Sequence, residues 1–154
     1  MLVISKLLCA FLPFFSYCTE NVVGKDISKF INCGPNTINT ISLSPCEVEP
    51  CVFHKGYNVT VSIDFNTDSP LVSAVKTKVY GQVAGIFVPY SLPNTDGCVS
   101  CNLTCPLTSG AHTYVNVFPV LAIYPDIKLV VKWELVDQDG NLLVCFEFPM
   151  SIVG

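Results

Sequence analysis

Few side chains in this 154-residue chain have the chemistry of a catalytic site. The two histidines, His54 and His112, lie in separate stretches, and the chain has no Gly-x-Ser-x-Gly motif that would expose a nucleophile beside either of them. Asp137 and Asp139 form a carboxylate pair, but a glycine follows them and the surrounding residues are typical of a turn. We therefore expect no enzymatic activity, no cofactor and no metal site.

The cysteines offer a second kind of chemistry, because Cys98-Val99-Ser100-Cys101 has the C-x-x-C spacing of redox and metal sites. A redox motif of this kind opens a helix after a strand, whereas Pro, Gly and Asn surround this one and predict a loop. A metal site would take Cys105 as a further ligand, but no fourth ligand is evident. We favour a structural disulfide with one spare thiol, and sequence alone leaves the pairing of the cysteines open.

The histidines, carboxylates and cysteines are positioned by β-strands. The clearest strands in the sequence are the two arms of a hairpin between Tyr124 and Pro149. Apolar and polar residues alternate along the first arm, which is typical of a strand with one buried face. The segment from Asp137 to Asn141 predicts a turn, in which Gly140 is free to adopt positive φ. The alternation places Leu143 and Cys145 on the outer face, and on the inner face Ile127, Leu129, Val131, Trp133, Leu135, Leu142, Val144, Phe146, Phe148 and Met150.

The rest of the chain repeats this pattern in shorter runs. Alternation predicts strands over 58–65, 72–83 and 112–120, and no window has helical periodicity. The 11 prolines and 9 glycines fall mostly between these runs, so we predict an all-β fold of two antiparallel sheets. The apolar residues fit either an ordinary core or a ligand cavity between the sheets, and periodicity does not choose between the two.

Residues 1–18 predict a secretory signal peptide, which leaves a single mature domain over residues 19–154. Lys6 precedes a short apolar run that ends at Phe15, and Ser16-Tyr17-Cys18 offers small residues for cleavage. The sequons Asn58-Val59-Thr60 and Asn102-Leu103-Thr104 indicate that Asn58 and Asn102 are glycosylated surface residues of a secreted protein.

The charge of the mature chain argues against two classes of partner. The chain has 8 basic residues, all of them lysines, and 12 acidic ones; loss of Lys6 with the signal leaves a net charge of −5. Without arginine or a basic cluster, contacts to phosphate groups are weak. We therefore expect no nucleic-acid partner and no attraction to anionic membrane surfaces.

Short motifs along most of the mature chain are similar to those of one protein family. In order, they are Asn32-Cys33-Gly34, Ser44-Pro45-Cys46-x4-Cys51, Lys55-Gly56, Val88-Pro89-Tyr90, Asp96-Gly97-Cys98, Cys105-Pro106, Tyr124-Pro125-x-Ile127-Lys128-Leu129-Val130-Val131-x-Trp133-x-Leu135 and the late Cys145. With these motifs the chain from Phe30 to Val153 resembles the Niemann–Pick type C2 (epididymal secretory protein) family of ML lipid-recognition domains, which includes the group 2 mite allergens.

The resemblance implies an immunoglobulin-like sandwich with an apolar pocket between its sheets and no catalysis. It places Tyr90, Val120 and Tyr124 at the pocket mouth. Further candidates, which sequence does not separate into wall and core residues, are Val61, Ile63, Phe65, Val131, Trp133, Phe146 and Phe148. The implied disulfides are Cys33–Cys145, Cys46–Cys51 and Cys98–Cys105. Cys101 is extra, and sequence leaves open whether it pairs with Cys98 or Cys105 instead, or with another chain.

The resemblance therefore implies a monomeric carrier, extracellular or lysosomal, that holds a sterol, fatty acid or similar apolar lipid and delivers it to a membrane or a receptor protein. A second hypothesis is a recognition module that presents microbial lipids to an immune receptor. A variant of the first is a carrier of small hydrophobic chemosensory ligands. Sterol-carrying members of the family have Phe where this chain has Tyr90, which places a hydroxyl near the expected mouth. The sequence therefore does not identify the ligand as a sterol.

Overall fold

Two β-sheets pack face to face and enclose the core between them, as the alternating sequence predicts. This computed structural model describes residues 8–12, 15–19 and 23–154. Those residues contain no helix, and hence none long and apolar enough to cross a membrane. The strands are β1 Leu8–Leu12, β2 Phe15–Thr19, β3 Lys25–Asp26, β4 Ile31–Asn32, β5 Ile38–Ser44, β6 Cys51–His54, β7 Asn58–Thr67, β8 Lys76–Val83, β9 Ile86–Tyr90, β10 Gly110–Pro119, β11 Ile127–Val136 and β12 Leu142–Val153.

The two main sheets are confirmed as the layers of a β-sandwich. The smaller sheet has the strand order β10-β7-β5-β3, and the larger has β4-β12-β11-β8-β9 with β6 also pairing with β12. Neighbouring strands run antiparallel, except that β6 and β12 are parallel. Strands β1 and β2 form a separate two-stranded sheet. Except for Thr19 at the end of β2, they lie within the predicted signal peptide, whose other residues fall outside the described ones, and that signal stays a prediction.

The hairpin of β11 and β12 lies in the middle of the larger sheet and has the predicted turn. Asp137 Oδ1 accepts hydrogen bonds of 2.9 Å from the backbone N–H groups of Asp139 and Asn141. Gly140 has a φ of 80°, a backbone conformation that costs glycine little. The predicted inner face is buried at Val131, Trp133, Leu135, Val144, Phe146, Phe148 and Met150.

The outer face of β12 differs from the prediction, because Leu143 and Cys145 are buried there. The segment that follows β4 covers them. The backbone N–H of Cys33 donates to Cys145 O at 2.9 Å, and Asn36 Nδ2 donates to Leu143 O at 2.9 Å. Gly34 permits this close approach, since a Cβ there would lie 2.8 Å from Cys145 N. Residues that look solvent-facing by alternation are therefore buried, and Leu143 belongs to the hydrophobic core.

Strand β8 begins at Lys76, whereas the alternation predicted a start at Val72. Val72 instead pairs with Leu107 through backbone hydrogen bonds of 2.9 and 2.8 Å. The segment before β8 is thus held against the end of the cysteine-rich loop. This pairing joins residues that are far apart in sequence, so local alternation does not reveal it.

Candidate functional site

An apolar cavity of about 260 Å³ lies between the sheets, at the end of the sandwich where β9 and β10 finish. The larger sheet provides most of its wall, and the smaller sheet contributes the end of β10. The loop from Val120 to Pro125 borders the remaining side. The cavity is lined by Val79, Tyr80, Gly81, Val83, Val88, Pro89, Tyr90, Phe118, Pro119, Val120, Tyr124, Pro125, Ile127, Leu129, Val131, Trp133, Met150 and Ile152.

The alternation of β11 and β12 explains why apolar side chains meet here. Leu129 is paired with Met150 and Ile127 with Ile152 across the two strands, so all four project from the same face. Gly81 of β8 has no side chain, and the side chain of Leu129 packs directly against it. A Cβ at that position would lie 3.0 Å from Leu129 Cδ1. The cavity wall is therefore an extension of the inner face that fills the core elsewhere.

Aromatic rings and one hydroxyl form the mouth of the cavity. The ring of Tyr90 makes edge contacts with Tyr124 and Phe118, at centroid distances of 6.0 and 6.4 Å. The Tyr90 hydroxyl donates a hydrogen bond of 2.7 Å to the carbonyl of Pro119. Burial, reinforced by the neighbouring Tyr124 hydroxyl, raises the pKa of Tyr90 well above its ordinary value, so the hydroxyl stays a protonated donor.

Trp133 forms part of the inner wall and is almost fully buried. Its ring lies 5.9 Å from that of Phe118 and 6.3 Å from that of Tyr114. The indole Nε1 finds no hydrogen-bond acceptor among the described residues. The Tyr114 hydroxyl is already bonded to Thr77 Oγ1 at 2.7 Å and to Asn116 Nδ2 at 2.8 Å. Burial raises the pKa of Tyr114 to about 12, so this polar cluster stays neutral behind the wall.

The cavity lining is electrostatically neutral. None of the side chains around it is an Asp, Glu, Lys or His, and the polar atoms it offers are mainly tyrosine hydroxyls and backbone groups. The ion pairs of the described chain lie outside it, between Lys55 and Asp126 and between Lys132 and Glu134. A charged group would lose its hydration here without gaining a partner. The cavity is therefore suited to an uncharged, apolar molecule.

A larger groove of about 650 Å³ lies on the outer face of the same sheet. Lys128, Gln82 and Ser151 line it together with apolar residues, and it is open to solvent. A ligand there would remain largely hydrated on one side, so little hydrocarbon would be buried. The smaller and more apolar cavity between the sheets is the better candidate site.

The structure brings one part of the predicted site together around the cavity. Tyr90 and Tyr124 lie at the mouth with Val120, and Val131 and Trp133 lie on the inner wall. Sequence reasoning placed the first three there by family resemblance and the other two by strand position. Their contact with a ligand stays a prediction, and the geometry is consistent with it.

The other predicted wall residues lie in the packed core instead. Phe146 and Phe148 stack at 5.7 Å, and the edge contact of Phe146 with Phe30 at 6.3 Å fills the space beside them. Alternation identifies an inward-facing residue but does not say at which end of the strand the sheets enclose a space. The residues in this group are Val61, Ile63, Phe65, Phe146 and Phe148, and none of them borders the cavity.

Several lining residues were missed by the sequence reasoning. Leu129 and Met150 share a strand face with Val131 and Phe148, so the alternation already placed them inward without marking them as wall. Phe118 lies in the strand predicted over 112–120 but was not among the predicted site residues. The contributions of Val79 and Gly81 depend on β8 lying beside β11, and this pairing is a tertiary fact.

The structure contains the disulfides Cys33–Cys145, Cys46–Cys51 and Cys98–Cys105 that the family resemblance implies. Cys101 is a free thiol, and it is buried. Burial raises the pKa of the Cys101 thiol, the neighbouring Tyr114 hydroxyl opposes that rise, and the nearby Asp96 carboxylate adds a smaller one. A buried neutral thiol of this kind is a poor nucleophile and a poor metal ligand.

Both sequon asparagines are exposed. Asn58 opens β7, and its register partner is Pro119 beside the cavity mouth. Asn102 lies within the loop closed by Cys98–Cys105, and its Nδ2 donates to Thr113 O at 3.3 Å. Their exposure is compatible with glycosylation, which stays a prediction.

The sequence of the chain is similar to sequences of known proteins. Residues 28–152 match the family model described as the ML domain. The NPC intracellular cholesterol transporter 2 of Canis lupus familiaris is 38% identical over 128 residues, which are 81% of this chain and 85% of that protein.

Two solved structures resemble the fold. A Niemann-Pick type C2 protein from the Japanese carpenter ant has a TM-score of 0.75 and 25% identity, covering 80% of this chain and 98% of that one. Chicken MD-1 complexed with lipid IVa has a TM-score of 0.55 and 14% identity, covering 84% and 96%, and shows likeness of fold alone.

Proposed function

The chain belongs to the ML-domain family. We propose that it is a secreted carrier that binds one sterol or other apolar lipid between its sheets and transfers it. The observation that carries the proposal is the cavity between the sheets with an uncharged, aliphatic and aromatic lining. The relative from Canis lupus familiaris is named as a cholesterol transporter. The carrier acts without catalysis, in the extracellular space or the lysosome, as a monomer.

Burial of hydrocarbon supplies the binding free energy in this proposal, at about 25 cal/mol for each Å² removed from water. The cavity volume of about 260 Å³ is just below the roughly 300–1,000 Å³ range of small-molecule sites. A narrow acyl chain fits such a space with small adjustments of its walls. The fused rings of a sterol need the mouth and the sheet ends to move apart.

A direct binding experiment tests this function. Delipidated protein is titrated with a fluorescent sterol and, separately, with a fluorescent polyene fatty acid, while the emission of Trp133, the single tryptophan of the chain, is followed. Micromolar or tighter binding of either probe is expected, with energy transfer from Trp133 to the bound probe. Failure of both probes and of any other apolar lipid to bind would show that the cavity is not a lipid site.

A matched pair of variants locates the bound lipid. Tyr124→Asp places a charge at the mouth and should weaken binding at least tenfold, because the carboxylate loses hydration against the ligand. Tyr57→Asp makes the same change at an exposed ring outside the cavity lining and should bind as the wild type does. Equal affinities in two correctly folded variants would remove Tyr124 from the site.

Transfer requires a partner at the mouth, and a membrane surface fits the side chains there. Val83 and Val88, which line the cavity, are 43% and 50% exposed, and Ile86 at the tip of the same hairpin is 67% exposed. Across the mouth, Leu121 and Ile123 are 42% and 84% exposed. Apolar residues around a lipid cavity offer a lipid a route that does not cross water.

Vesicles of neutral phosphatidylcholine test this contact. The wild type should co-sediment with them, and Ile123→Asp should not, while its affinity for the soluble probe is retained. The second hypothesis, presentation of a lipid to a receptor, predicts no vesicle binding by either protein. Lipid extracted from the native protein and identified by mass spectrometry would then show which lipid class it presents.

A further inference from the structure

The hydroxyl of Tyr90 joins the two sheets at the mouth of the cavity. Tyr90 is the last residue of β9 in the larger sheet, and Pro119 is the last residue of β10 in the smaller one. The hydrogen bond of 2.7 Å from Tyr90 Oη to Pro119 O therefore crosses from one sheet to the other. Both residues line the cavity, so the bond ties the two sheets together at its edge.

Both ends of this bond are held in place. On the side of the smaller sheet, the residue after Pro119 is fixed by two backbone hydrogen bonds: Gly56 N–H donates to Val120 O at 2.7 Å, and Val120 N–H donates to Tyr57 O at 2.9 Å. On the other side, the Tyr90 ring packs edge-on against Phe118 and Tyr124. A donor and an acceptor that are both held in place close the mouth at little entropic cost.

We propose that the hydrogen bond of the Tyr90 hydroxyl acts as a latch: it holds the two sheets together at the mouth of the cavity and must break before a ligand enters or leaves. The frequency with which this bond breaks then sets the rate of ligand exchange. The inference rests on the proposed carrier function. Because the latch closes the mouth of the free protein and of the loaded protein alike, its loss raises the association and dissociation rates together. The equilibrium affinity then changes little, since the phenyl ring of a Tyr90→Phe variant keeps the contact of the wall with the ligand.

The magnitude follows from the loss of one hydrogen bond. Opening of the mouth should become roughly 2- to 12-fold more frequent in Tyr90→Phe, the range that corresponds to the net free energy of a single protein hydrogen bond. Both exchange rates should rise by that factor, and the dissociation constant should stay within about twofold of the wild type.

The matched control is Tyr114→Phe. The Tyr114 hydroxyl also bonds across the sheets, to Thr77 Oγ1 of β8, but it lies in the core and does not border the cavity. This variant loses an inter-sheet bond by the same atomic change and should exchange ligand at the rate of the wild type. Tyr57→Phe, at an exposed ring, is a second control should Tyr114→Phe not fold.

Stopped-flow measurement of energy transfer from Trp133 to a fluorescent sterol gives the exchange rates, with thermal unfolding as a check on folding. A second readout needs no ligand: quenching of Trp133 emission by acrylamide reports how often the mouth opens, because Trp133 is buried against the cavity. Quenching should increase in Tyr90→Phe and not in the controls.

Wild-type exchange rates together with wild-type quenching in Tyr90→Phe would overturn the proposal. Equal acceleration by the folded control variant would overturn it as well, since the effect would then be a general loosening of the sandwich. If the wild-type protein binds no lipid probe but Tyr90→Phe increases the quenching, the latch stands and the carrier function fails. If the variant changes neither quenching nor binding, the latch fails and the carrier function stands.

Discussion

One substitution can be compared at two positions of the inner face, Val61 and Val131, because strand alternation predicts both as wall residues. Val61 on β7 is fully buried and packed away from the cavity, whereas Val131 on β11 borders it. Alanine removes the same two methyl groups from each. We expect Val61→Ala to reduce stability and leave affinity unchanged, and Val131→Ala to reduce affinity with a smaller loss of stability.

The magnitudes follow from the surroundings of the two side chains. At Val61 the lost transfer free energy is about 1.6 kcal/mol, at roughly 0.8 kcal/mol for each buried carbon group. The space left in a packed core adds to this, so the free energy of unfolding should fall by about 2–3 kcal/mol. Val131 already faces open space and has fewer neighbours to lose, so its cost should be about 1 kcal/mol or less. Loss of about 1 kcal/mol of contact with the lipid should weaken binding roughly fivefold.

Urea unfolding followed by far-ultraviolet circular dichroism gives the stabilities, and titration with a fluorescent sterol gives the affinities. Val61→Ala should lose stability and keep its affinity, and Val131→Ala should lose affinity and keep most of its stability. If Val61→Ala weakened binding as much as Val131→Ala, the cavity would extend into the region described as packed core. If neither variant changed affinity, the lipid would not contact the β11 wall.

Three further outcomes are expected. Replacing Cys33 and Cys145 by Ser should lower the free energy of unfolding by about 5 kcal/mol, because this bridge spans 112 residues; a loss below about 2 kcal/mol in urea unfolding would contradict the loop-entropy argument. Burial raises the pKa of Tyr114 from 10.0 to about 12, so its hydroxyl ionises at a lower pH in the unfolded chain than in the folded one. This difference favours the folded state fully below pH 10, and the advantage is lost as the pH rises toward 12. Wild-type stability should therefore fall more steeply over that range than that of Tyr114→Phe. On secretion from eukaryotic cells, Asn58→Gln and Asn102→Gln should each lower the mass by one glycan, and an unchanged mass would show an unused sequon.

The sequence predicts which residues face inward better than it predicts where the sheets enclose a space. Period-two alternation placed Val61 and Val131 on inner faces alike, and both are buried. The difference between core and cavity depends on what lies opposite. Phe146 and Phe148 fill their space with each other, whereas Leu129 packs against Gly81 and borders the cavity. That relation depends on strand order across the whole sheet, which local patterns do not contain.

Long-range coverage accounts for the other differences. Leu143 and Cys145 alternate as outward-facing residues, and they are buried because a segment more than a hundred residues earlier in the chain folds over them. The hydroxyl of Tyr90 could be located near the mouth from a family motif. Its acceptor, Pro119 O, could not be predicted, because every residue has a backbone carbonyl and the sequence does not show which one accepts the hydrogen bond.

The apolar space of about 260 Å³ between the sheets also affects the response of the protein to hydrostatic pressure. Voids that exist in the folded chain disappear on unfolding, so the unfolded state occupies less volume and is favoured by compression. A lipid in the cavity fills that void and removes part of the volume difference. The loaded carrier should therefore withstand higher pressure than the free protein, by a margin that depends on how completely its lipid fills the space between the sheets.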